Sequence, residues 1–153
     1  MSKKIKSKNS KPVGYRPRLS KREQEVINNL RNDTSSRVLV IGDVHAPFER
    51  KDYLQFCKDT YKKYNCNTVV FIGDIIDSHY SSYHETDADG MGGAQELDLA
   101  IKSIKKWYKA FPDAYVTVGN HDAIIMRKAQ TSSIPSAWIK HYNDVLGTPN
   151  WKW

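Results

Sequence analysis

Residues 38–45, VLVIGDVH, decide how the rest of the chain is read. Val38 to Ile41 is an apolar run rich in β-branched side chains; Gly42 ends it, and Asp43 and His45 follow. A short run of this kind predicts a buried parallel strand. Residues just past such a strand stand at its carboxyl end, where open α/β sheets bind their ligands. Two further stretches repeat the pattern. Thr68 to Ile72 (TVVFI) leads into Gly73, Asp74 and Asp77, and Ala114 to Val118 (AYVTV) leads into Gly119, Asn120, His121 and Asp122. Three strand ends therefore present carboxylates, imidazoles and an amide.

Helical spacing fills the intervals. Leu54, Cys57 and Tyr61 mark a helix from about Arg50 to Tyr64, with Cys57 on its apolar face. Leu97, Ile101, Ile104 and Tyr108 mark another from about Ala94 to Ala110. A helix should start directly after Asp122. Pro135 to Leu146, with Trp138, Ile139 and Tyr142, reads as a last amphipathic segment ended by Gly147 and Pro149. The β-α-β-α-β-α order predicts an α/β fold with a parallel sheet. Upstream, Ser20-Lys-Arg-Glu23 is a capping box, and Val26, Ile27 and Leu30 predict a short helix from Lys21 to Arg31. The expected organisation is a disordered basic arm over 1–19, a short helix and linker over 20–36, and an α/β domain over 37–153.

Charge follows the same division. The chain of 153 residues carries +7, but residues 1–37 hold 11 Lys/Arg against 3 Asp/Glu, and residues 38–153 hold 13 against 14. The amino-terminal arm is the basic part. Such an arm reads as a solvated tail or as a loose contact to nucleic acid. No stretch is apolar enough to span a membrane, and no h-region follows MSKKIKSKNSK. Two cysteines without a framework predict reduced thiols and a cytoplasmic setting.

Carboxylate, imidazole and amide-oxygen side chains are the ligand types that divalent ions take. Taken singly, Asp43 or Asp74 reads equally well as a helix N-cap, Asn120 as a turn residue and His121 as a hydrogen-bonded histidine. Repetition after three strands favours one shared site. His79 and His84, in the polar loop that also holds Asp87, read as loop residues, with metal or phosphate contact as the alternative. His141 reads as structural.

Asp43-x-His45, Gly73-Asp74-x-x-Asp77 and Gly119-Asn120-His121-Asp122 resemble, in order and spacing, the first three motifs of the calcineurin-like metallophosphoesterases. The wording IGDVHAPFE and GNHDAIIMRKA is similar to compact phage and bacterial members. The resemblance implies the parallel β-α-β half of a metallophosphoesterase sandwich. It also implies hydrolysis by hydroxide on two divalent ions (Mn, Fe or Zn), without a covalent enzyme intermediate. It assigns Asp43 and His45 to the first ion, Asp74 to both, and the Asn120 amide oxygen to the second. His121 becomes the acid at the leaving oxygen, Asp122 the carboxylate that orients its imidazole, and Asp77 a loop brace. An oxygen-rich set suits manganese or iron better than zinc.

The family pattern continues with a histidine after another strand and a Gly-His-x-His element, whereas His141 is the only histidine here after His121. The resemblance therefore implies an amino-terminal portion, weak at the second ion, and either inactive alone or completed by a carboxyl-terminal fragment or a homodimer. The ending GTPNWKW reads as an interrupted chain. The alternative from another class is a nucleic-acid-binding protein that uses the basic arm and keeps a vestigial metal site.

Overall fold

The structure is a computed structural model that describes residues 20–32, 35–83, 85 and 88–153. The arm expected over 1–19, His84 and Asp87 lie outside the described residues, as do the side chains of Glu23, Val26 and Leu30. The chain divides into two units, residues 1–35 and 36–153. The first contains helix α1, Lys21–Asn32, whose opening turn closes by Gln24 N–H donating to the Ser20 carbonyl at 3.0 Å.

The second unit is built on three parallel strands, β1 (Val38–Ile41), β2 (Thr68–Phe71) and β3 (Tyr115–Val116), in the order β1-β2-β3. Val38 pairs with Thr68 and Ile41 with Phe71; Val70 pairs with Tyr115 and Phe71 with Val116. Lys152 adds a parallel bridge to Tyr115. Helices α2 (Tyr53–Lys63) and α3 (Gly93–Ala110) link the strands, and α4 (Ile124–Thr131) and α5 (Tyr142–Leu146) follow β3. Among the described residues, no helix is long and apolar enough to cross a membrane.

The core lies against one face of the sheet. Leu39, Ile41, Val69, Phe71 and Val116 point into it and meet Cys57 from α2 and Ala100, Ile104 and Trp107 from α3. Val38 and Val40 point the other way and stay 46% and 56% exposed. The expectation of a buried strand therefore holds for alternate residues only, because side chains on a strand alternate between faces and the core packs on one of them. Cys57 is core, as its place on the apolar stripe predicts, and burial pushes its thiol up to about 11.

Three local expectations are corrected. Helix α2 starts at Tyr53; Lys51 and Asp52 form the turn before it, and the Arg50 guanidinium pairs with Asp52 at 2.6 Å. β3 is two residues long rather than five. The segment 135–146 is a 3₁₀ turn, Ser136–Trp138, then extended backbone at Ile139, then α5. The Tyr142 hydroxyl donates to the Asp122 carbonyl at 2.9 Å and fixes where α5 begins. His141 sits exposed just before α5, and Gly147, in the left-handed region at φ +67°, ends that helix.

The tryptophans near residue 153 are structural. Trp151 is 1% exposed, its ring lies 4.7 Å from that of Phe71, and its indole N–H donates to the Phe111 carbonyl at 2.8 Å. Trp153 stacks on Tyr142 at 4.4 Å.

Candidate metal centre

β1 and β2 continue to pair beyond their glycines. His45 N–H donates to the Asp74 carbonyl at 2.8 Å, Ala46 N–H to Ile75 at 2.9 Å, and Asp77 N–H to Ala46 at 3.0 Å. The two motif loops thus run side by side. Their backbone is strained: Asp43, His45, Asp74 and Ser78 have φ of +45°, +49°, +51° and +54°. A left-handed residue with a Cβ costs about 1–2 kcal/mol. Such strain persists where surrounding contacts over-determine the conformation, as they do at functional sites. One such contact is Tyr53, whose hydroxyl donates to the Gly42 carbonyl at 2.7 Å and accepts from its N–H at 3.2 Å.

The third loop locks onto the second. His121 N–H donates to Asp74 Oδ1 at 2.8 Å. Asp122 is fully buried, and its carboxylate accepts from the N–H of Ile75 at 2.9 Å, Ile76 at 3.2 Å and Gly119 at 2.9 Å. Burial pushes this carboxyl above the ordinary range; the three N–H donors oppose the rise, and the nearby charge of Asp74 adds to it. The resemblance assigns Asp122 to orienting the His121 imidazole. Its oxygens are spent on main-chain amides, and the His121 imidazole is held elsewhere. We expect Asp122→Asn to turn one acceptor into a donor facing an N–H, at a cost of about 2 kcal/mol. A lowered urea midpoint at neutral pH checks this; an unchanged midpoint removes Asp122 from the framework.

Asp77 is the hub. Its Oδ1 lies 2.7 Å from His45 Nδ1 and 3.6 Å from His121 Nδ1, and its main-chain carbonyl lies 2.6 Å from His121 Nδ1. Its Oδ2 is 3.9 Å from His79 Nδ1. A carbonyl oxygen only accepts, so His121 carries its proton on Nδ1. Asp77 favours the same tautomer in His45, leaving Nε2 free at 3.9 Å from Asp74 Oδ2. The two imidazole rings meet edge to face at 4.6 Å.

His45, Asp74 and His121 are thus brought together, with Asp77 at the centre. Asp43 is exposed in the wall of an open cavity of about 700 Å³ that His45, Phe48 and Glu49 also line. Asn120 is exposed between Gly119 and His121, and His121 N–H ties this loop to Asp74. His79 is close to the cluster through Asp77, and His141 stands apart from it.

Sequence reasoning missed Glu96. It is 2% exposed, in the first turn of α3, and its carboxylate accepts from the N–H of His79 at 2.8 Å and of Tyr80 at 3.1 Å. It holds the segment that follows Asp77. No local signal distinguishes it from any acidic residue in a first helical turn.

The donor chemistry fits a divalent ion. His45, Asp77 and His121 offer three ligand atoms within 4.8 Å of one another, and Asp74 adds a carboxylate beside them. A family model described as calcineurin-like phosphoesterase matches residues 36–152. No curated protein and no solved structure matches the chain.

Proposed function

Because the chain belongs to the calcineurin-like phosphoesterase family, a family of metal-dependent phosphoric ester hydrolases, we propose that it hydrolyses a phosphoester using two divalent ions. Asp43, His45 and Asp74 would hold the first ion, and Asp74 and the Asn120 amide oxygen the second. The ions, when bound, would neutralise the phosphoryl oxygens and supply a hydroxide at neutral pH.

The chain's own groups do the rest. Asp77 keeps the proton of His45 on Nδ1, so Nε2 presents its lone pair beside Asp74. His121, with Nδ1–H on the Asp77 carbonyl, can give a proton from Nε2 when it is an imidazolium. The proton goes to the leaving oxygen. Asp122 acts in this reading as a positioning residue, since it ties the His121 loop to the Asp74 loop. The observation that carries the reading is the joining of three strand ends at Asp77 and Asp74.

The set is rich in oxygen, which favours manganese or iron over zinc. The second ion receives two ligands in this assignment and should bind more weakly than the first. Imidazoles brought by a second polypeptide or a second copy would tighten it. The test is hydrolysis of p-nitrophenyl phosphate and its bis ester. Activity should disappear with chelator and return with millimolar Mn²⁺. No turnover with Mn²⁺, Fe²⁺ or Zn²⁺, alone or with added carboxyl-terminal fragment, would overturn the reading.

A further inference from the structure

Next to Asn120, outside the proposed ligands, three side chains form a ridge that neither the core nor the hydrolytic step uses. Tyr83 is 61% exposed. Arg127 Cζ lies 5.6 Å from the centre of its ring and Lys128 Nζ 5.2 Å. Each cation is also tied to main chain. Arg127 Nη2 donates to the Asn120 carbonyl at 2.8 Å, and Lys128 Nζ reaches the Ser82 carbonyl at 3.5 Å. An aromatic ring from the loop after β2 and two cations from α4 are thus assembled beside a residue of the candidate centre.

We propose that Tyr83, Arg127 and Lys128 bind single-stranded nucleic acid, holding the base and phosphate adjacent to the phosphoester at the metal centre. The proposal rests on the hydrolytic reading for the identity of that phosphoester. The ridge offers the two elements such strands need, a ring on which a base can stack and cations for the backbone. A small phosphomonoester has no second phosphate for Arg127 and Lys128 and no base for Tyr83. A duplex keeps its bases inside the stack, out of reach of Tyr83. Residues 38–153 hold 13 Lys/Arg against 14 Asp/Glu, so the pair on α4 is a local feature rather than part of a generally basic surface.

The experiment is fluorescence anisotropy of labelled oligo(dT) with the full chain in chelator, so that binding is read without metal or turnover. Tyr83→Ala should weaken binding roughly tenfold, and Tyr83→Phe should not. An abasic strand of equal length should bind wild type and Tyr83→Ala alike, at the level of the variant with oligo(dT). Lys128→Gln should reduce the salt slope by about 1. The basic segment 1–37 is present in every arm of the comparison, so any affinity it contributes is common to all. Equal binding of oligo(dT) by wild type and Tyr83→Ala, or equal binding of abasic and normal strands by wild type, overturns the proposal. A chain that shows the Tyr83 effect but hydrolyses nothing keeps the ridge and loses the hydrolytic reading. A chain that hydrolyses the bis ester but ignores the base does the reverse.

Discussion

Gly119→Ala should cost about 3 kcal/mol of stability and lower Tm by roughly 10 °C. A Cβ at Gly119 would land on the carboxylate and the amide nitrogen of Asp74. The amide is main chain and cannot rotate away, and the carboxylate is held by His121 N–H. On the other side, a Cβ at Gly73 would come within 2.7 Å of Gly119 Cα and N, and Gly73 already sits at φ +98°. The two loops touch backbone to backbone, so any relief must separate them. Separation would break the Ile75 and Ile76 N–H bonds to Asp122 and draw His121 away from Asp74 and Asp77. Gly42→Ala is the control. Its Cβ would meet the end of the Ile72 side chain at 3.3 Å, which can shift. Thermal melts of both variants check the prediction; equal small losses would show that the Gly73–Gly119 contact is not a constraint.

Asp74→Asn should abolish detectable hydrolysis, a loss on the order of a thousandfold or more, while leaving the chain folded. The substitution keeps the shape of the side chain, and its remaining oxygen can still accept from His121 N–H, as Oδ1 does at 2.8 Å. It removes the one carboxylate that the proposed function shares between both ions. Calorimetry with Mn²⁺ should show one tighter and one weaker site in wild type, with both weakened or lost in the variant. A variant that binds and hydrolyses like wild type would remove Asp74 from the metal set. A variant that loses activity with its Tm collapsed would instead assign Asp74 a structural role through the His121 N–H.

The local motifs were legible because their physics is local. Val38 to Ile41 and Thr68 to Phe71 form strands where their branched residues and closing glycines place them. The spacing of Leu97, Ile101 and Ile104 gives α3 to within one residue of its start. The parallel order follows from alternation of strands with helices long enough to cross over. That Asp43, His45, Asp74 and His121 belong to one end of one sheet was determined by sequence alone, because each follows a strand and all strands run the same way.

Partnerships between side chains were decided only in three dimensions. Asp122 and Asp77 look alike in sequence, as acids near the glycine of a motif. Burial separates them. Asp122 is fully buried where three main-chain N–H groups converge, so its carboxylate serves the framework. Asp77 lies at the surface of the same framework, within reach of three imidazoles. Glu96 and Tyr53 were silent for the same reason, since their partners are backbone groups 16 or 17 and 11 residues away. The break between Trp138 and Tyr142 was hidden because Tyr142 answers to Asp122 rather than to its own segment. Sequence fixes which groups reach the end of the sheet, since that depends on chain direction and strand length. Which group touches which depends on distances of a few ångströms, set by packing of segments far apart in the chain.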